Sequence, residues 1–272
     1  MNKNYKRLSE EMNRYFNEFQ NGLEKILGDE VTGIYVHGSL ALGGFNPTTS
    51  DVDLIVVVRN HLSVRMRKEL AYYFLKISNQ PYPLEISILA ALQFTPWQFP
   101  TPYDFHYSEY WRRRYERELN EGTSIYFSSE EKMDSDLAAH FTILHYCGIC
   151  LAGKPIPEVF PAVPKKDYIA SFLGDYEECL EKIYQDPVYC ILNLNRVYWY
   201  LKEGKISSKK EAGIWGARTL PEKYQHTIQQ ALEIYKNEKK NEKFNEQDLW
   251  EIKEFLQQHI EKLLDTNQRL SN

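Results

Sequence analysis

The sequence predicts an α+β protein: a small α/β domain with a mixed sheet, followed by an all-α helical-bundle domain. Three observations predict it. The first half runs in the order helix, strand, loop, strand, helix, strand. From residue 165 onward apolar residues recur at three- and four-residue steps, with no strand pattern of any length. Between the halves, Ala152-Gly153-Lys154-Pro155-Ile156-Pro157 brings together two prolines and a glycine, which interrupt regular structure. The expected domains are residues 1–157 and 158–272.

Each element follows from its pattern. Met12, Tyr15, Phe16, Phe19, Leu23 and Leu27 fall on one face of a helix over Ser9–Leu27. Val31–Val36 is a short β-rich run that ends at His37-Gly38-Ser39. After a glycine-bearing loop, Asp51–Val58 reads as a buried strand led by two carboxylates. Leu62, Met66, Leu70, Tyr73, Phe74 and Ile77 predict an amphipathic helix over 61–78, and Leu84–Leu89 a third strand. Residues 95–121 are aromatic and broken by prolines, the composition of a segment that wraps a surface or lines a cleft. Helical periodicity resumes over 134–152, 165–184, 187–203, 207–217, 221–236 and 245–264.

Composition narrows the function. The 272 residues are 43% hydrophobic and 26% charged, with a net charge of −5. That excludes low-complexity chains and leaves no global basic footprint for nucleic acid. The charged start MNKNYKRLSEEMNRYF has no apolar stretch of the kind a signal peptide needs, and no apolar run approaches a membrane span. Four cysteines are too few for a disulfide framework at this length. The expectation is a cytoplasmic monomer with reduced thiols and no nucleic-acid or membrane partner.

Chemistry concentrates in His37-Gly38-Ser39 and Asp51-Val52-Asp53. Side chains at i and i+2 of a strand share a face, so Asp51 and Asp53 project together and repel unless a cation lies between them. Hard divalent cations accept such carboxylates and complete their shell with water and substrate phosphate. Glu85 interrupts the apolar strand Leu84–Leu89 and supplies a third carboxylate, as ligand or as base. Glycine lets a backbone approach closely, and Ser39 adds a hydroxyl for a phosphate.

Gly38-Ser39 followed by Asp51-x-Asp53 resembles the signature of the DNA polymerase β-type nucleotidyltransferase superfamily. The fuller run HGSLALGGFNPTTSDVDLIVVV resembles aminoglycoside adenylyltransferases that modify streptomycin and spectinomycin. Further stretches along most of the chain carry the same resemblance. They are Pro83–Ser87, Thr95–Pro100, Asp134–Ala138, Asn195–Trp199, Glu203–Lys209 and Trp215–Pro221.

The resemblance implies a nucleotidyltransferase fold in the α/β half and AMP transfer from ATP to an antibiotic hydroxyl, with release of pyrophosphate. It implies two Mg²⁺ ions on Asp51, Asp53 and Glu85, with Glu85 also the general base. Gly38, Ser39, Lys205 and Tyr235 would contact the nucleotide. On the acceptor side the chain has Tyr184–Tyr189 where relatives carry Gly-Asp-Glu-Arg-Asn, and only Asp186 persists. Trp111, Asp136 and Asp186, with Glu109, are the available residues for a polycationic acceptor. A macromolecular or other small-molecule acceptor, and a non-catalytic nucleotide-binding protein, are the alternatives.

Two other signals point elsewhere. His140, His145, Cys147 and Cys150 lie close together, but within what reads as one helix, so buried thiols are expected there rather than a zinc or redox site. Arg112-Arg113-Arg114 is too small a basic patch to outweigh the acidic total. No P-loop motif occurs.

Overall fold

The structure is a computed structural model that describes residues 8–128, 132–236 and 243–271. The elements follow one another as α1 (Glu10–Leu27), β1 (Val31–Val36), α2 (Gly38–Ala41), β2 (Val52–Val58), α3 (Val64–Ile77), β3 (Leu84–Ala90), β4 (Thr101–Tyr103) and β5 (Phe105–Tyr107). Then come α4 (Arg112–Glu121), β6 (Lys132–Asp134), α5 (Leu137–Cys147), β7 (Ile149–Gly153) and α6 (Ile156–Val159). Five longer helices complete the chain: α7 (Lys165–Lys182), α8 (Pro187–Glu203), α9 (Lys209–Thr219), α10 (Glu222–Tyr235) and α11 (Glu246–Ser271). Among the described residues no helix is long and apolar enough to cross a membrane.

Contacts divide the chain into two compact units, one ending at Ser171 and one beginning at Phe172, within α7. The proline-rich segment before α6 turns the chain without leaving the first unit. Ile156 and Phe160 just beyond it are buried with Tyr35, Phe94 and Phe141.

In the first unit a five-stranded sheet has the order β5-β3-β2-β1-β7. Only β2 and β3 run parallel; the other pairs are antiparallel, so the sheet is mixed. Strand alternation splits the sheet into two faces. Ile34, Val36, Leu54, Val56, Ile86, Ile88, Phe105 and Tyr107 bury against Phe16, Phe19 and Leu23 of α1 and Leu70 and Phe74 of α3. Tyr35, Ile55, Val57 and Leu89 point the other way, against Phe141 and Leu144 of α5 and Phe160. By the same alternation His37, Asp53, Glu85, Ser87 and His106 belong to the α5 face.

The helix expected over 134–152 is in fact α5 followed by β7. The backbone turns extended at Gly148, whose amide caps Leu144, and Ile149 and Cys150 pair with β1. Cys150 is therefore a strand residue. Ile149-Cys150-Leu151 is apolar on both sides, so its periodicity could not separate a helix end from an edge strand.

Glu109 is also redirected. Its carboxylate accepts from Ser78 Oγ at 2.6 Å, Arg112 Nε at 2.7 Å, Arg112 Nη2 at 3.0 Å and the Tyr107 hydroxyl at 3.1 Å. Those bonds tie α3, β5 and α4 together, so this carboxylate is already committed and not free for a cationic acceptor. The Arg112 guanidinium, ahead of the two hydroxyls, holds its pKa down at about 2 against an ordinary 4.5. A depressed carboxyl stabilises the fold above its unfolded pKa and loses that contribution as pH falls toward 2. Glu109→Gln should therefore have a lower urea midpoint than the parent at pH 6, with the difference shrinking between pH 4.5 and 2. Equal midpoints at pH 6 would mean that the network contributes nothing.

In the second unit α8 packs against α9, α10 and α11. Ile191, Leu192 and Leu194 of α8, Ala212 of α9, Ile228 and Leu232 of α10, and Ile252 and Leu256 of α11 are fully or nearly fully buried. The helix-only reading of this half agrees with what is seen.

Candidate active site

Strand β1 delivers His37, and its chain end feeds α2 beside the start of β2. Gly38 has φ +58, and a Cβ on it would stand 1.7 Å from Asp53 Oδ2. Only glycine can make that approach at that dihedral. The Ser39 amide donates to Asp53 Oδ2 at 3.2 Å, and the His37 amide donates to the Asp53 carbonyl at 3.1 Å. The Gly38-Ser39 turn is thus clasped onto the Asp53 carboxylate. Ser39 Oγ is buried without a hydrogen-bond partner.

Asp51 sits one residue before β2, and the Val52 amide donates to the Pro83 carbonyl at 2.8 Å. That bond starts the parallel ladder in which Asp53 lies opposite Glu85 and Ile55 opposite Ser87. Both carboxylates therefore rise from adjacent strands on the same face. Burial, and after it the charges of Asp51, Asp136 and Asp134, push the Glu85 carboxyl above its ordinary pKa, with His140 acting the other way. The site is a cluster of carboxylates on one face of the sheet. Among the described residues no three His, Cys, Asp or Glu side chains form a ready metal cage. The donors that do gather are carboxylates, the chemistry a hard divalent cation selects, and Mg²⁺ is bound by one or two carboxylates plus substrate phosphate rather than by a full protein cage.

Asp136 immediately precedes α5, its amide donating to Asp134 Oδ1 at 2.8 Å, and it belongs to the group acting on Glu85. Trp111 stands at the start of α4, its ring stacked on Tyr115 at 6.2 Å with the Arg114 guanidinium 4.6 Å over it. The strongly exposed aromatic at that turn is its neighbour Tyr110, 72% exposed. Asp186, Lys205 and Tyr235 lie in the second unit. Asp186 caps α8 by accepting from the Tyr189 amide at 3.2 Å. Lys205 is half-buried just past Gly204, which closes the other end of α8. A helix of 17 residues separates the two by about 25 Å. Tyr235 is the last residue of α10.

Three histidines complete the α5 face, and two of them, His106 and His140, were not expected there. His106 of β5 lies opposite Ser87, with its Nδ1 3.1 Å from Ser87 Oγ. His37 and His140 place their rings 4.4 Å apart. Burial lowers the pKa of His37 well below the ordinary range and takes His106 to about 4. Strand parity carries the signal for two of them, since His37 and His106 alternate with core residues. His140 lies one helical turn after Asp136.

Residues 17–120 match the nucleotidyltransferase domain family, and residues 158–262 match the C-terminal domain of aminoglycoside adenylyltransferases. A spectinomycin 9-adenylyltransferase of Staphylococcus aureus is 28% identical over 222 residues, covering 79% of this chain and 82% of its own. An aminoglycoside (3'') (9) adenylyltransferase of Shigella flexneri is 26% identical over 237 residues, covering 83% and 86%. The crystal structure of spectinomycin adenyltransferase AAD(9) from Enterococcus faecialis, with ATP and spectinomycin, shares the fold. Its TM-score is 0.75 at 22% identity, over 92% of this chain and 99% of that one. With the two family matches following one another along the chain in domain order, the chain belongs to the aminoglycoside adenylyltransferase family and is a nucleotidyltransferase.

Proposed function

We propose that the chain transfers AMP from ATP to a hydroxyl of a spectinomycin- or streptomycin-like acceptor and releases pyrophosphate. The observation that carries this is the register of Asp53 against Glu85, with the Gly38-Ser39 turn clasped onto Asp53. Asp51, Asp53 and Glu85 would hold two Mg²⁺ ions, which when bound offset the negative charge of the phosphates. The remaining work falls to side chains. Ser39 offers its buried hydroxyl to a phosphate oxygen, with Gly38 giving the backbone room to come close. Lys205 supplies positive charge to the triphosphate, and Tyr235 contacts the nucleotide.

Glu85 accepts the proton of the acceptor hydroxyl as that oxygen bonds to the α-phosphorus. The bond from the α-phosphorus to the bridging oxygen breaks, and pyrophosphate leaves with the electron pair. Asp136 and Asp186 would face the ammonium groups of the acceptor, whereas Trp111 packs against the cluster on the α1 and α3 face of the sheet, opposite the face of Asp53 and Glu85. The names of the relatives support this acceptor class.

The test is a pyrophosphate-release assay with ATP, Mg²⁺ and a panel of aminoglycosides plus spectinomycin. Release that requires one of these acceptors supports the reading, and ATP binding without release for any acceptor overturns it. Lys205→Ala should weaken ATP affinity by about 10–100-fold, the worth of one charge-assisted contact. Calorimetry that gives equal affinities would place Lys205 outside the nucleotide site.

A further inference from the structure

Neither the phosphates nor the metal carboxylates call on His106 of β5, yet the fold holds it firmly. It pairs with Ser87 of β3, its Nδ1 lies 3.1 Å from Ser87 Oγ, and its carbonyl accepts from the Tyr115 hydroxyl at 2.6 Å. The Tyr103 ring stands 6.2 Å from its own at 71°, an edge-on contact. Its Nε2 has no hydrogen-bond partner among the described residues, and unlike the Nδ1 atoms of His37 and His140 it is not sealed from solvent. One ring nitrogen is thus fixed, and the other is open on a half-buried side chain.

Ser87 decides which nitrogen carries the proton. It is 3% exposed, and its hydroxyl has His106 as its one hydrogen-bond partner among the described residues. A buried hydroxyl proton left without an acceptor costs more than an idle lone pair, so the hydroxyl donates and Nδ1 accepts. Burial keeps the imidazole neutral in neutral solution, taking its pKa to about 4 against the pull of the Asp134 charge. The single ring proton then sits on Nε2, the open nitrogen.

The place of this N–H says what it would meet. The sheet order puts β1 and β5 on opposite sides of the β2–β3 pair. The Ser39 turn that follows β1 takes the phosphate side, so an acceptor in line with the breaking bond enters from the β3–β5 side. Ser87 lies two residues along β3 from Glu85 on the same face, and His106 lies one strand further out. Strand spacings put the Cα of His106 about 8 Å from that of Glu85, a gap that one substituted six-membered ring can span.

We propose that His106 is a specificity-determining residue for the acceptor: its Nε2–H donates to a hydroxyl, ether or carbonyl oxygen on the ring that carries the attacking hydroxyl. An ammonium group at that point has no lone pair to offer and is disfavoured. The carboxylates of the site recognise the charge of the acceptor, and His106 recognises where an oxygen stands.

The inference rests on the proposed transfer, and the experiment separates the two ideas. Steady-state kinetics with spectinomycin or streptomycin, whichever supports release, would compare the parent with two variants. His106→Phe keeps a ring against Tyr103 without nitrogens, and His106→Gln carries an amide that can accept from Ser87 and still donate outward. His106→Phe should raise the acceptor KM by about tenfold, the effect of one hydrogen bond, while the KM for ATP stays within about twofold. His106→Gln should recover most of that loss.

In parallel, imidazole ¹⁵N spectra of the histidine-labelled protein would be assigned by the signals lost in His106→Gln. They should show the His106 proton on Nε2, and saturating acceptor should move that signal. An unchanged acceptor KM in His106→Phe, an equal rise in both variants, a proton on Nδ1, or an Nε2 signal unmoved by acceptor would overturn the inference. Should His106→Phe fail to fold, the spectra decide. Should the parent release pyrophosphate with no acceptor, the proposed transfer fails, and calorimetric titration with the same two compounds still judges the subsite. Binding about tenfold weaker in His106→Phe than in the parent would keep it, and equal binding or none would remove it.

Discussion

Replacing Gly38 with alanine is expected to reduce turnover by at least about 10²-fold while leaving a folded protein. The new methyl group would stand 1.7 Å from Asp53 Oδ2, far inside contact distance, and the φ of +58 is one that alanine adopts at a cost of about 1–2 kcal/mol. Neither the turn nor the carboxylate can stay where it is. Asp53 would be driven from the position set by its register with Glu85, and a misplacement of about 1 Å in a reacting geometry is enough for a loss of that size. The hydrophobic faces of β2 are untouched, so the urea midpoint should fall only modestly. An alanine variant with the parent's rate would mean that the clasp on Asp53 has no part in the reaction.

Glu85→Gln is expected to lower turnover by roughly 10²–10⁴-fold, the range for removing a positioned general base. The amide keeps the shape of the side chain and its place beside Asp53, but it cannot take a proton. Nucleotide binding should survive, because Asp51, Asp53, Ser39 and Lys205 remain. Rapid-quench measurement of AMP transfer, paired with calorimetry of ATP binding, separates the outcomes. If ATP binding is lost as completely as in Asp51→Asn, Glu85 serves first as a ligand and the base lies elsewhere. If neither binding nor turnover changes, the carboxylate is structural.

Much of this architecture is legible in the residues. Alternation in Asp51–Val58 and Leu84–Leu89 fixes which side chains share a face, and the apolar remainder leaves the carboxylates no other place to lie. The helices of the second unit are equally plain, because each carries a stripe that only a neighbour can cover. What stays hidden is set by contacts distant in sequence. Cys150 becomes a strand residue because the edge of β1 is there to receive it. Glu109 looks free until Ser78 and Arg112 are folded around it. His140 reads as one of a histidine and cysteine cluster, yet its ring turns to His37, some hundred residues earlier in the chain.

The parallel pairing of β2 with β3 also divides the sheet lengthwise. Ligands of open α/β sheets commonly sit beyond the carboxyl ends of parallel strands. Here the carboxylates gather at the amino ends, and the antiparallel β1 brings its own carboxyl end to meet them. The seven residues of β2 carry the chain about 20 Å from Val52 to Val58. At the far rim Asp29, Arg59 and Asn60 are exposed, and Glu30 accepts there from the Arg59 amide and from Asn60. That rim is a handle: a dye, an affinity peptide or a surface linkage attached at Asp29 would report on or immobilise the enzyme from the end of the sheet remote from its carboxylates.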